Sequence, residues 1–339
     1  MIDACRVLMV FPLFNASSFW NYQETCDLTN ARYPAAPLGL ITVAALLPEN
    51  WEIRLVNRNT EQLDDADFDW ADIVMTGGML PQRNDALRII EMCRTLGKPV
   101  VIGGPDVTSS PHLYSAANFQ VLGEAEEIMI DFITAWRRGD RQGVFKAEMG
   151  KTDVTKSPLP RFDLLKLDQY LHVGVQFSRG CPFSCEFCDI IELYGRVPRT
   201  KTNAQVIAEL NALYALGYRG HVDFVDDNLI GNKKALKNFY QTSNSGRIQR
   251  IFHLNSQQRL QLTSRMIPIC CVACLRQISL PYSSVSKVQI QSLWCSCKKS
   301  RIQGGAYSRA SRQSTKQEFL LMLALSSGLI AKKAALLKA

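Results

Sequence analysis

The sequence predicts an α/β protein: a doubly wound parallel-sheet domain first, then the opening of a (β/α) barrel that is left incomplete. Three observations carry this expectation. Short apolar runs alternate with segments of helical period over the first 135 residues. Those runs end in glycine pairs, and a separate strand further on leads directly into a loop with three closely spaced cysteines.

Arg6-Val-Leu-Met-Val-Phe-Pro reads as a buried strand. Pro37 to Leu47 has helical period and meets Pro48, which cannot continue a helix. Glu52-Ile-Arg-Leu-Val-Asn is a second strand and Asp72-Ile-Val-Met-Thr-Gly-Gly a third. A helix from about Gln82 to Leu96 stops at Gly97, and strands follow at Pro99-Val-Val-Ile-Gly-Gly and Phe119-Gln-Val-Leu-Gly. Apolar strands separated by helices bury both faces of a parallel sheet, a Rossmann-like arrangement. Gly77, Gly78, Gly103, Gly104 and Gly123 stand at the strand ends, where open α/β sheets take ligands and where glycine allows close backbone approach. Tight strand-to-helix turns account for the same glycines equally well.

Pro37-Leu-Gly-Leu, Gly103-Gly104-Pro105-Asp106-Val-Thr108 and Gly123-Glu124-Ala-Glu126 make this region, residues 1–136, resemble the cobalamin-binding domain found in front of many radical enzymes that use S-adenosylmethionine (SAM). The resemblance implies that Gly77, Gly78, Gly103, Gly104, Thr108 and Gly123 contact cobalamin. One departure is plain: the Asp-x-His-x-x-Gly element that supplies a histidine ligand to cobalt in methionine-synthase-type domains is missing, and His112 lacks that spacing. Cobalamin would then bind without a protein histidine; a domain that has lost the cofactor is the alternative.

Residues 137–172 read as a polar, proline-containing linker. The barrel portion, residues 173–239, begins with strand Val173-Gly-Val-Gln-Phe-Ser and continues Arg179-Gly-Cys181-Pro-Phe-Ser-Cys185-Glu-Phe-Cys188. Three thiolates in one loop suit three irons of a cubane cluster, since cysteine is the usual ligand there. Structural zinc calls instead for four closed ligands. The spacing resembles the radical SAM superfamily. That resemblance implies a [4Fe–4S] cluster on Cys181, Cys185 and Cys188, with SAM on the fourth iron and the backbone at Phe187 near the adenine. Reductive cleavage would release a 5′-deoxyadenosyl radical, drawing on a low-potential donor such as a flavodoxin or ferredoxin.

Thr202 or Asn203 caps a helix that Gly217 ends, and Gly220-His-Val-Asp-Phe-Val is the next strand. It ends in Asp226-Asp227-Asn228, where the resemblance implies a contact to the SAM amino group and a helix N-cap is the plain alternative. Asp189, Glu192, Arg196, Arg199 and Lys201 follow the cysteine loop and suit either cofactor contacts or surface charges. Residues 157–239, above all Asp189 to Gln205, resemble the cobalamin-type subgroup that includes the hopanoid methylases. This implies methylation of an unactivated carbon in a small or lipid-like substrate.

Residues 240–339 break the pattern. They hold 15 of the 39 Lys and Arg but one of the 31 acids, so the net charge of +8 arises wholly there. The codons from Pro268 through Val285 and just beyond, read in the adjacent frame with permissible choices, accommodate a family-like run containing Gly-Ile-Glu-Ser. The expectation is an out-of-frame tail after about Phe239, which makes Cys270, Cys271, Cys274, Cys295 and Cys297 accidental rather than a second metal site. The basic excess then ceases to argue for nucleic acid. The apolar stretch Phe319 to Ala331, with 13 residues, is too short to span a bilayer. Eleven cysteines without a secretory signal suit metal chemistry in a reducing cytoplasm. A catalytically inactive fragment that binds only corrinoid or a cluster is the competing reading.

Overall fold

The computed structural model describes residues 4–18, 21–186, 188–229 and 231–243. The chain divides into two compact units, Met1–His253 and Leu254–Ala339, and every described residue lies in the first. The expectations for Phe187 and for residues 244–339 fall outside the described residues.

Strand β1 (Arg6–Phe11) is followed by α1 (Gln23–Thr29), β2 (Tyr33–Ala35) and α2 (Leu38–Ala44). Next come β3 (Glu52–Asn57), α3 (Asp65–Trp70), β4 (Ile73–Gly77) and α4 (Arg83–Thr95). The first sheet is completed by β5 (Val100–Gly103), α5 (Pro105–Ser109), β6 (Phe119–Leu122), α6 (Ala125–Arg138) and β7 (Gly143–Lys146). The six strands lie in the order β3-β1-β4-β5-β6-β7, all parallel. The order reverses between β1 and β4, so the crevice at their C-terminal ends is the topological switch point.

Strand periodicity divides the core. Val7 and Met9 of β1 and Ile73 and Met75 of β4 join one cluster with Trp51, Phe132 and Trp136. Leu8, Val10 and Val74 join the other with Phe68, Ile89 and Ile90. Successive side chains of a strand point to opposite faces, so both faces must be apolar when helices cover both.

Among the strands that escaped sequence analysis are β2 and β7. β7 lies inside the segment read as linker; its burial alternates and its flanks are polar, which masks it. β2 is three residues long and contains Pro34, yet it leaves the first sheet to pair with β8 (Tyr170–Val175). After β8 come β9 (Ser178–Arg179), α7 (Ile190–Tyr194), β10 (Arg199–Thr200), α8 (Asn203–Ala215), β11 (His221–Phe224) and α9 (Lys233–Ser243). The second sheet is parallel in the order β11-β8-β2, which makes β8, α8 and β11 the first β/α/β turn of a barrel. Thr202 is the α8 cap: its hydroxyl accepts from the Gln205 amide at 3.2 Å while the Gln205 side chain accepts from Thr202 N at 2.9 Å. Gly217, with φ of +82°, ends that helix as expected. Phe239 of α9 packs on Phe177 and Phe224 with ring centroids 5.3 and 5.8 Å apart.

Candidate cofactor site at the junction of the two sheets

The cysteine loop is held at its neck. β9 and β10 pair antiparallel, Arg199 opposite Arg179 and Thr200 opposite Ser178, and so close the loop that carries Cys181, Cys185 and Cys188. Gly180 takes φ of +91°, and a Cβ there would stand 2.7 Å from the Val197 carbonyl oxygen, so only glycine fits. Cys181 N donates to Gly195 O at 3.1 Å, and Cys188 N donates to Cys185 O at 3.1 Å. All three cysteines are half-buried, and none is in a disulfide. Among the described residues no three His, Cys, Asp or Glu side chains are already closed into a metal-binding group. The donor set still suits an iron–sulfur cluster. Burial pushes the Cys188 thiol up, and Cys185 and Cys181 nearby add to the rise, a repulsion that a bound cation reverses. Asn228 Nδ2 donates to Cys181 Sγ at 3.4 Å, the kind of contact that stabilises a thiolate.

The end of β11 separates its three polar residues by role. Asp226 is buried, and its carboxylate accepts from Phe177 N at 3.0 Å, Ser178 Oγ at 2.6 Å and Ser178 N. Its oxygens are spent on the turn that leads into the cysteine loop. Asn228 faces the loop, and its Oδ1 is buried without a hydrogen-bond partner among the described residues. Asp227 is exposed between them.

Burial pushes the Asp226 carboxyl up to about 6, against the lowering effect of the Ser178 and Phe177 hydrogen bonds. The folded chain therefore holds this proton more tightly than the unfolded chain does. The stability this supplies is complete below about pH 4 and is lost as pH rises through about 6. Relative to Asp226→Asn, the wild type should lose about 3 kcal/mol between these limits. Denaturant unfolding of both proteins at the two pH values measures it, and a pH-independent difference would contradict it.

The strand-end glycines gather on one edge as expected. Gly77 lies beside Gly103 in register, and a Cβ on Gly77 would stand 2.5 Å from the Gly103 carbonyl oxygen. Gly104 and Gly123 take φ of +97° and +91°. Thr108 Oγ1 accepts from Gly123 N at 2.9 Å and donates to Gly104 O at 2.8 Å, tying two of these loops together. Gly78 sits against Gln82, which donates to Pro12 O at 2.8 Å and accepts from Met79 N at 3.0 Å. Gln82 thereby fixes both lips of the switch-point crevice. The edge is backbone-lined and lacks bulk, which suits a large flat ligand. His112, in a short 3-10 turn at Pro111–Tyr114, is exposed.

Between this edge and the cysteine loop lies a charge cluster that sequence reasoning missed. Arg179, two residues before Cys181, contacts Glu124 at 3.0 Å and Glu126 at 2.6 Å. Arg199 on the paired strand reaches the other Glu124 oxygen at 2.8 Å and donates to Thr152 O and Tyr194 O. Ser157 Oγ donates to Glu126 at 2.8 Å. The four charged side chains are 3–14% exposed, so this is a buried network rather than surface decoration. Burial opposes ionisation of Glu126, yet Arg179 holds it below the ordinary carboxylate range. Lys201 is likewise internal, paired with Glu209 at 2.5 Å beneath the hairpin. Arg199 and Lys201 are thus committed within the protein; Arg196 donates to Ser184 on the exposed face of the loop, and the Asp189 carbonyl starts α7 by accepting from Glu192 N.

With this geometry in place, the kinship of the chain is readable. Residues 25–133 match the family model described as a B12 binding domain. The chain is 48% identical over 234 residues to an uncharacterized methyltransferase of Synechocystis, an alignment spanning 68% of this chain and 43% of the relative. It is 39% identical over 237 residues to the hopanoid C-2 methylase of Rhodopseudomonas palustris, spanning 68% and 44%. The fold matches the radical SAM methyltransferase TsrM from Kitasatospora setae, solved with cobalamin and a [4Fe–4S] cluster bound. That likeness has a TM-score of 0.53 at 16% identity and covers 77% of this chain and 57% of that one. It also matches the cobalamin-dependent SAM radical enzyme OxsB with a TM-score of 0.55 at 14% identity, over 84% and 47%. The chain therefore carries a B12-binding domain followed by the first β/α/β turn of a barrel. In sequence, it is a relative of the hopanoid methylases. It spans less than half the length of these curated relatives. No helix among the described residues is long and apolar enough to cross a membrane.

Proposed function

We propose that this chain provides the cofactor-binding portion of a cobalamin-dependent radical SAM methyltransferase acting on an unactivated carbon. The observation that carries the reading is the buried junction in which Arg179 joins the strand-end loop at Glu124 to the neck of the three-cysteine loop. Cys181, Cys185 and Cys188 would hold three irons of a [4Fe–4S] cluster. Asn228 donates to the Cys181 sulfur, and its unpaired Oδ1 is an acceptor for the SAM ammonium group, with Asp227 at the mouth. Asp226 acts at one remove, fixing the turn at Phe177 and Ser178. Gly77, Gly78, Gly103, Gly104, Gly123 and Thr108 form the edge against which the corrin would lie, without a histidine below cobalt. Once bound, the cluster supplies the electron that cleaves SAM and the corrinoid supplies the methyl group. A flavodoxin- or ferredoxin-type donor in the cytoplasm suits that demand, and the relation to hopanoid methylase favours a small or lipid-like substrate.

A second reading is favoured by the composition beyond Phe239: 15 bases against one acid, in a stretch whose permissible codons allow a family-like sequence in the adjacent frame. In it, residues 240–339 are out of frame and the chain binds its cofactors without turning over. Anaerobic reconstitution with iron, sulfide, hydroxocobalamin and SAM, followed by reduction, separates the two. The methyltransferase reading expects bound corrinoid and 5′-deoxyadenosine formation. Corrinoid binding without SAM cleavage selects the second reading, and resequencing the gene tests the frame itself.

A further inference from the structure

The buried charges between Gly123 and Cys181 do more than join two pieces of chain. Glu124 follows directly on Gly123 at the C-terminal end of β6, and Glu126 lies in the first turn of α6. Both point their carboxylates at one guanidinium, that of Arg179, which is also held by Gln176 Oε1 at 2.8 Å. Arg199 grips Glu124 from the opposite strand of the hairpin. The two arginines occupy paired positions, so the two glutamates hold both sides of the neck from which the cysteine loop emerges. Guanidinium groups bind carboxylates through a rigid planar fork, so this contact fixes orientation as well as distance. Other holds on the loop neck come from its own barrel segment, Asp226 on Ser178 and Gly195 on Cys181, and from the connecting segment, where Thr152 O accepts from Arg199.

We propose that Glu124 and Glu126 are positioning residues, a latch by which the β6–α6 loop of the B12 domain sets the placement of the cysteine loop. The consequence is directional coupling: a ligand that orders the Gly104–Thr108–Gly123 edge also orders the neck at Arg179 and Arg199. Thr108 extends the chain of contacts, because its hydroxyl joins Gly104 to Gly123 immediately before Glu124. The latch itself requires no cluster, and its relevance to catalysis rests on the proposed radical SAM function.

Hydrogen–deuterium exchange on the full chain tests it, following peptides that cover residues 178–200 with and without hydroxocobalamin. In the wild type, corrinoid should slow exchange in this segment. Glu124→Gln should raise its exchange without corrinoid by about tenfold or more, as expected when a buried ion pair loses one charge. It should also abolish the response to corrinoid while corrinoid still binds by absorbance. Ser157→Ala, which removes one hydrogen bond from Glu126 and no charge, guards against global unfolding and should show a smaller change of the same sign. Equal exchange in wild type and both variants, or a corrinoid response that survives Glu124→Gln, overturns the latch. Wild-type protein that takes up no iron but keeps the exchange difference would sink the radical SAM reading and leave the latch standing.

Discussion

Arg179→Ala should be strongly destabilising, costing about 3–5 kcal/mol because it leaves buried Glu126 without its cation and Glu124 with Arg199 alone. Glu124 and Glu126 are 3% and 4% exposed, so water cannot replace the guanidinium. Arg199 still reaches Glu124, but among the described residues no other cation contacts Glu126, which keeps the Ser157 hydroxyl. For a chain of this size the loss lowers the unfolding midpoint by roughly 10 °C. Arg179→Lys should fall between wild type and Arg179→Ala, since it keeps the charge and loses the fork. Thermal unfolding monitored by circular dichroism decides this. A shift no larger than that of an exposed pair such as Arg94–Glu91 would mean that the network is solvated and unimportant.

Replacing Cys181, Cys185 or Cys188 by alanine should have the opposite profile, with little change in stability and near-complete loss of iron. The thiols are half-buried on a loop outside both core clusters, so their removal leaves no cavity in the packed interior. Cys5, Cys26 and Cys93 are fully buried, and burial pushes the Cys5 and Cys93 thiols up to about 12, which disfavours the thiolate that metal binding needs. They serve as the internal control: Cys93→Ala should cost stability and retain iron. Iron analysis after anaerobic reconstitution reads both effects. Equal iron in wild type and the Cys188→Ala variant would remove the cluster from this loop.

What sequence made legible follows from the range of the interactions. β1, β4 and β5 are buried on both faces, so each is a continuous apolar run that announces itself. The cysteine triad is equally local, and Thr202 with Gln205 carries its own capping signal. β2 and β7 were not legible: one is three residues with a proline, the other a half-exposed edge strand. The charge cluster was hidden for another reason. Glu124 and Arg179 are 55 positions apart, and nothing near either one marks the other as its partner. Arg199 and Lys201 looked like surface or cofactor contacts because a lone cation has no local mark of burial. Asp226 to Asn228 could be placed at a strand end but not sorted, since only the fold shows Asp226 turned to Ser178 and Asn228 turned to Cys181.

The most direct test of the account is electron paramagnetic resonance of the anaerobically reconstituted, dithionite-reduced protein with and without SAM. The account predicts a spin-half signal of a [4Fe–4S] cluster at about four irons per chain. It further predicts that SAM changes the signal, and that Asn228→Ala weakens the change. A protein that takes up no more iron than its Cys181→Ala variant, or a cluster signal indifferent to SAM, would contradict it.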